Sequence, residues 1–244
     1  MALSGMAVPV PDFSRQTLKR ELSPHEVVLL VGEDVALQAE GHPLPKPVRV
    51  DWADKSLLWR LQHGGGRGEM LAKACGVRGE ACPTVVDATA GFGRDSLLLA
   101  RLGCRVTMLE RSPLVTALLQ DGMVRALSEP LLAEALSRLQ LISTDAAGWL
   151  HTVTEPDRPD VVYLDPMFPE REKSAKVKAN MQVFHRVVGA DADGDTLLAP
   201  ALAAARKRVV VKRPRHAPPL ADREPDLGFA GESSRFDVYL RAGQ

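Results

Sequence analysis

In the run Thr84-Val85-Val86-Asp87-Ala88-Thr89-Ala90-Gly91-Phe92-Gly93-Arg94-Asp95, a short apolar segment closes on an acid and passes through two glycines into a helical segment. Val85 and Val86 suit a strand buried on both faces, while Gly91 and Gly93 permit a tight turn and close backbone approach by a ligand. Ser96-Leu97-Leu98-Leu99-Ala100-Arg101-Leu102 reads as the following helix, ended by Gly103. A helix that starts after a glycine turn aims unpaired N–H groups at whatever lies above the strand ends. Ser96 stands where the dinucleotide fingerprint G-x-G-x-x-G would place its third glycine, so that fingerprint is incomplete.

Outward from this turn the chain alternates strand and helix. Arg105–Glu110 reads as a second strand ending in an acid, and Ser112-Pro113 caps a helix beginning at Leu114. Leu139–Ser143 is a third strand running into Thr144-Asp145 and a short helix toward Leu150. Val161–Leu164 is a fourth, Arg208–Val211 a fifth, and Arg235–Leu240 a last strand with alternating character. Helical stretches near residues 173–188 and 195–206 separate the fourth strand from the fifth. The pattern predicts an α/β fold with a doubly wound, mostly parallel Rossmann-like sheet, whose strand carboxyl ends share the edge where ligands bind.

Before the turn, Val27–Val31 and Val35–Ala39 flank Gly32-Glu33-Asp34 as a hairpin, and Val48–Asp51 is a candidate third strand. No long amphipathic helix is evident before about residue 80. His63-Gly64-Gly65-Gly66-Arg67-Gly68 reads as a loop that is either a plain linker or a cover over a ligand, followed by a short helix over 69–75. Residues 1–78 are therefore expected to form a small α/β appendage and residues 79–244 the main domain.

Composition narrows the function classes. The 244 residues are 45% hydrophobic and 25% charged with zero formal net charge, ordinary values for a soluble protein with a sizeable core. No apolar run reaches the ~18 residues that cross a bilayer, and the amino terminus carries no signal-peptide pattern, so a cytoplasmic location without membrane association is expected. Three cysteines, Cys75, Cys82 and Cys104, form no C-x-x-C pair, and the histidines lack metal-ligand spacing, so no metal is expected. Charge is distributed unevenly: between Pro166 and Leu220 there are eleven Lys or Arg against five acids, an excess suited to phosphates or to a solvated helix face.

The ligand edge gathers Asp87 with the glycine turn, Glu110, Asp145 and Asp165. Glu110 is placed to accept ribose hydroxyls and Asp145 an adenine amine, which fits nicotinamide cofactors and S-adenosylmethionine alike. Asp165-Pro166-Met167-Phe168-Pro169 separates them. An acceptor followed by proline and an aromatic suits a flat base bearing an exocyclic amine, with Asp165 and the Pro166 carbonyl accepting its two N–H groups and Phe168 stacking on the ring. The methyl donor is already activated as a sulfonium, so alignment matters more than a strong base. A pyrimidine-C5 mechanism needs a cysteine near the fourth or fifth strand, and all three cysteines lie before residue 105.

The segments Val85–Asp95, Met108–Pro113, Val162–Lys178 and Val209–Pro219 resemble the bacterial 16S ribosomal RNA guanine-N2 methyltransferase family of RsmJ type, which has a class I S-adenosylmethionine-dependent fold. The likeness runs from about His63 to the carboxyl terminus and includes Gly64–Glu69 and Arg235–Tyr239. It implies methyl transfer to N2 of one guanosine near the 3′ end of the small-subunit RNA, with cofactor contacts at Arg94, Asp95, Glu110, Arg111, Asp145, Ala146 and Asp165. Related amino-methyltransferases carry proline where this chain has Met167. The substrate so implied is 16S rRNA or the small ribosomal subunit, with Lys173, Lys176, Lys178, Lys212, Arg213 and Arg215 holding phosphates around the turned-out base. The pocket chemistry alone leaves adenine N6 open beside guanine N2, and a non-catalytic RNA-binding module is the alternative of a different class.

Overall fold

The computed structural model describes residues 27–39, 46–80, 82–166 and 194–241. The amino-terminal segment opens with β1 (Val27–Val31) and β2 (Val35–Ala39), paired antiparallel as a separate two-stranded sheet. The expected third strand is reduced to a single bridge between Leu37 and Val48. A helix not anticipated from the sequence follows, α1 (Lys55–His63), capped by Asp54, whose carboxylate accepts from the N–H groups of Ser56 and Leu57 at 3.0 and 3.3 Å. Leu57 is buried, and Leu58 and Leu61 pack beside it, so three leucines at helical spacing bury one side of α1. The short α2 (Met70–Cys75) then ends at Gly76, whose φ of +76° is a left-handed cap.

The main sheet begins at β3 (Thr84–Asp87) and α3 (Arg94–Arg101), with the helix starting two residues before Ser96. Next come β4 (Arg105–Glu110), α4 (Pro113–Ala126), α5 (Ala133–Leu136), β5 (Leu139–Ser143), α6 (Ala146–Thr152) and β6 (Val161–Leu164). The expected helix over 195–206 is a 3-10 turn at Gly194–Leu197 leading into α7 (Leu198–Ala204), and that over 173–188 lies outside the described residues. The chain closes with β7 (Arg208–Pro214), β8 (Leu227–Ala230) and β9 (Ser234–Leu240).

The seven strands are ordered β5-β4-β3-β6-β7-β9-β8. Pairing is parallel from β5 through β7, while β9 is antiparallel to both β7 and β8, so the carboxyl end of β9 lies on the opposite edge from the others. The chain leaves β3 for β4 and β5 on one side, then returns to β6 on the other. This reversal makes the β3–β6 crevice the switch point at which open α/β sheets bind ligands.

Alternation along the strands divides the core between two faces. Val85, Val161, Tyr163 and Val210 face one side, packed with Leu97 and Leu99 of α3 and Leu118 of α4. Val86, Val162, Leu164, Val209 and Val211 face the other with Leu150 of α6 and Leu198 and Ala201 of α7. Each fully buried leucine or valine contributes roughly 1.5–3 kcal/mol. The first core also takes in Leu37, Val48, Val50, Trp52, Leu57 and Leu71, so apolar packing runs without a break across residue 78.

Candidate active site

Three turns meet at the switch point. The β3 turn is fixed from below by Asp87, which is 2% exposed and accepts from Ser96 Oγ at 2.5 Å and from the Thr89 N–H at 3.1 Å. Burial pushes the Asp87 carboxyl up to about 7, against the pull of these two hydrogen bonds. Asp87 therefore braces the turn from inside the protein. Gly91 and Gly93, expected to make a tight turn, have φ of +53° and +66°, a left-handed conformation that glycine adopts without strain. At Gly93 space is also limiting, because a Cβ would stand 2.7 Å from Cζ2 of Trp52 and 3.0 Å from Cδ2 of Leu119. Trp52, reaching from the amino-terminal segment, donates its indole N–H to the Phe92 carbonyl at 2.9 Å.

Glu110 at the end of β4 accepts the Gly91 N–H at 3.1 Å through one carboxylate oxygen and the Ser112 N–H at 2.8 Å through the other. The acid nineteen residues past Gly91 thus fastens the glycine turn to the next one. Arg111 and Arg94 are exposed beside it. Asp145 caps α6 by accepting the Gly148 N–H at 2.8 Å, and Ala146 is buried behind it.

The third turn carries Asp165. Its N–H donates to Thr89 Oγ1 at 2.6 Å, and the Ala88 N–H donates to the Tyr163 carbonyl at 3.0 Å, so the ends of β3 and β6 are stitched together. Lys212 of β7 bridges two acids, with Nζ 2.8 Å from an oxygen of Asp165 and 2.8 Å from an oxygen of Asp95. The same Asp95 oxygen accepts the Tyr163 hydroxyl at 2.7 Å. Burial alone would raise the Asp95 carboxyl, but the Lys212 ammonium and the two hydrogen bonds outweigh it and hold the group below its ordinary value. Burial works against the charge of Lys212 as well, and Asp165 and Asp95 together raise it. Burial raises the Tyr163 hydroxyl far out of the physiological range, so it remains a donor.

Asp87, Gly91, Gly93, Asp95, Glu110 and Asp165 are thus linked through one set of hydrogen bonds, strand pairings and ion pairs. Pro166 is buried behind Asp165, and Phe168, Lys173, Lys176 and Lys178 lie outside the described residues. Two of the expected phosphate-binding residues take other places. Lys212 spends its charge on Asp95 and Asp165, and Arg213 is 4% exposed with its guanidinium donating to the Pro218 carbonyl at 2.8 and 3.1 Å. Adjacent strand residues point to opposite faces, so a Lys-Arg pair on β7 cannot present both charges to one ligand. Arg215 is exposed and donates to the Gly231 carbonyl at 3.0 Å. Sequence reasoning missed Tyr163 and Trp52; parity along β6 and β7, which puts Tyr163 and Lys212 on the face of α3, was the available signal for Tyr163.

A sheet with this order, a glycine turn at its switch point and acids closing β3, β4 and β6 define a class I S-adenosylmethionine-dependent methyltransferase. The comparisons agree. Residues 13–241 match the family of SAM-dependent methyltransferases. The ribosomal RNA small subunit methyltransferase J of Hahella chejuensis is 55% identical over 196 residues, covering 80% of this chain and 73% of that protein. That of Aeromonas salmonicida is 47% identical over 239 residues, covering 96% and 95%. Among solved structures, a SAM-dependent methyltransferase from Neisseria gonorrhoeae superposes with a TM-score of 0.72 at 38% identity, covering 94% of this chain and 92% of its own. The chain belongs to the ribosomal RNA small subunit methyltransferase J family. Its cofactor is S-adenosylmethionine.

The residues at the switch point fit that cofactor. The carboxyl edge presents carboxylates, Glu110 and the Asp95–Lys212–Asp165 group, and these suit ribose hydroxyls and a cationic sulfonium. Among the described residues no group of three or more His, Cys, Asp or Glu is placed to hold a metal, and no helix is long and apolar enough to cross a membrane.

Proposed function

We propose that this protein methylates the exocyclic N2 amine of a guanosine near the 3′ end of 16S rRNA. The observation that carries the reading is Asp165, whose carboxylate is held by Lys212 and whose backbone N–H is held by the Thr89 hydroxyl, at the switch point beside the turn that receives the cofactor. The relatives' name supports the small-subunit RNA as substrate. Glu110, Arg111, Asp145 and Ala146 would hold the adenosine part of the cofactor, and Arg94, Asp95 and the glycine turn its amino-acid part.

S-adenosylmethionine, when bound, supplies a methyl group on a cationic sulfonium. The protein's part is alignment. Asp165 accepts an N–H of the target amine, and the Pro166 carbonyl accepts the other, which turns the nitrogen toward the donor and favours a pyramidal geometry. Ion-paired with the Lys212 ammonium at 2.8 Å, the Asp165 carboxylate stays an acceptor. The amine proton is therefore held through the transfer and released to water once the nitrogen is cationic.

The test is transfer of labelled methyl from S-adenosylmethionine to small-subunit RNA and to subunits from a strain lacking this gene, followed by nucleoside analysis. N2-methylguanosine should form with the native protein, and Asp165→Asn should lower kcat by about 10²-fold or more while cofactor affinity falls less. Methylation at adenine N6 would replace the guanine reading, and an Asp165→Asn enzyme as fast as the native one would remove Asp165 from the amine site.

A further inference from the structure

The amino-terminal helix α1 shows two sides of opposite character. One buries Leu57 with Leu58 and Leu61 packed beside it. The other places Lys55, Trp59 and His63 in a row at i, i+4 and i+8, all exposed. Trp59 is 63% exposed, unusual for the largest apolar side chain in a chain that buries Trp52 to 1%. Its ring lies 5.3 Å from the His63 ring at an interplanar angle of 23°, and His63 Nδ1 is 3.2 Å from the Trp59 carbonyl. The aromatic pair is therefore held in one orientation.

Two observations put α1 beside the active site. Trp52, two residues before the Asp54 cap, is bonded to the glycine turn through the Phe92 carbonyl at 2.9 Å. Arg60, farther along the helix, is close enough to Asp95 and Tyr163 to act on both electrostatically, and Glu69 holds it at 2.7 Å. Lys55 is exposed in the same row, while the acids flanking the helix are engaged, Asp54 in capping it and Glu69 with Arg60. An exposed aromatic with a lysine in its row is the chemistry that holds a base and its phosphate in single-stranded nucleic acid.

We infer that the Lys55–Trp59–His63 face of α1 is a stacking platform for an unpaired base of the RNA next to the methylated nucleotide, with Lys55 on its phosphate. The inference rests on the RNA-methyltransferase reading. Taking a base out of its stack leaves its neighbours without a stacking partner, and a fixed indole on α1 supplies one. Base stacking on an aromatic tolerates any base, so the platform holds the strand in place and contributes little to choice of sequence.

The experiment compares native enzyme, Trp59→Ala, Trp59→Phe and Trp59→Leu with small-subunit RNA from a strain lacking the gene. Trp59→Ala and Trp59→Leu should each raise KM for RNA by about ten-fold, within the range of roughly 5- to 150-fold found when a stacked aromatic is removed, while kcat and cofactor affinity move less than about two-fold. Trp59→Phe should restore KM to within about three-fold, because it keeps a π-face. Equal KM for native enzyme and Trp59→Ala overturns the inference. So does recovery by leucine, which would make Trp59 a packing residue, or a parallel loss of cofactor affinity, which would make it a support of the glycine turn. Should the native enzyme methylate no small-subunit RNA, the substrate reading itself falls, and that outcome is distinct from a native enzyme whose KM is indifferent to Trp59.

Discussion

Replacing Lys212 with methionine keeps the length of the side chain and removes the charge that Asp95 and Asp165 share at 2.8 Å each. Two carboxylates then face one another in a site that already disfavours charge. Asp87, close by, shows what burial does to a carboxyl there with hydrogen bonds but no ammonium: it is pushed up to about 7. The Asp95–Asp165 pair in Lys212→Met should therefore titrate above the ordinary aspartate range. Removing one partner of a buried ion pair costs about 3–5 kcal/mol. With the Lys212 and Asp165 side chains 30% and 39% exposed, a loss nearer 2 kcal/mol is expected at pH 8 by the same principle. In a chain of this size that lowers Tm by about 4–8 °C.

The sign of the pH dependence separates this role from a phosphate contact. In the native enzyme Asp95 is held below its ordinary value, so its contribution to stability is present above the unfolded pKa and is lost only as pH falls through the lower folded value. In Lys212→Met the folded pKa is raised, so the variant loses methyl transfer as pH falls through that raised value and regains stability as pH falls from it toward the unfolded value. The assay is labelled-methyl transfer to small-subunit RNA from about pH 5.5 to 9, with thermal denaturation and cofactor calorimetry at each pH. A phosphate-binding lysine would instead give a raised KM for RNA, a salt slope smaller by about one, and no new titration. That result, or a variant with native kcat at every pH, refutes the assignment.

Two further substitutions probe the turn itself. Gly93→Ala puts a Cβ 2.7 Å from the Trp52 ring at a φ of +66°, and should cost about 2–4 kcal/mol and weaken cofactor binding, measured by denaturation and calorimetry. Asp87→Asn removes a charge whose folded pKa, about 7, is above its unfolded value, so the native chain loses stability as pH rises from about 4 through 7; the variant should gain up to about 4 kcal/mol on the native protein between about pH 4 and pH 8, and an unchanged difference would show that Asp87 is not buried as a neutral acid.

The glycine turn, the acids at the strand ends and the parallel order were legible in the sequence because each rests on local chemistry: apolar runs of strand length, glycines where φ is positive, an acid at the strand's close. What escaped depended on direction. Lys212 and Arg213 read as one basic patch because charge counting ignores the period of two along a strand, which sends Lys212 to the face of Tyr163 and α3 and Arg213 into the opposite layer beside Pro218. Helix α1 escaped because nine residues give too few turns for a periodic pattern to stand out, although Asp54 before Leu57, Leu58 and Leu61 was a usable cap signal. β8 escaped because its pairing to β9 is set by the Gly231–Ser234 turn, with the Gly231 N–H on the Ser234 carbonyl at 2.8 Å, at a site without the usual Asn-Gly signature.

The same site explains why a nicotinamide dinucleotide is a poor occupant. Its pyrophosphate needs bare backbone N–H groups and a third glycine at the helix start. Here that position is Ser96, fully buried, with its hydroxyl committed to Asp87 at 2.5 Å, and the Gly91 N–H is already given to Glu110 at 3.1 Å. Above them stand Asp95 and Asp165, two carboxylates sharing one ammonium, and Asp87 adds further negative charge as pH rises through about 7. A dianionic pyrophosphate would face the Asp95 and Asp165 carboxylates there, which attract a cationic sulfonium instead. The feature that makes the glycine turn an incomplete dinucleotide fingerprint is thus the one that joins it to the acids: Ser96 braces Asp87 beneath the turn, and the charge left above it selects the methyl donor.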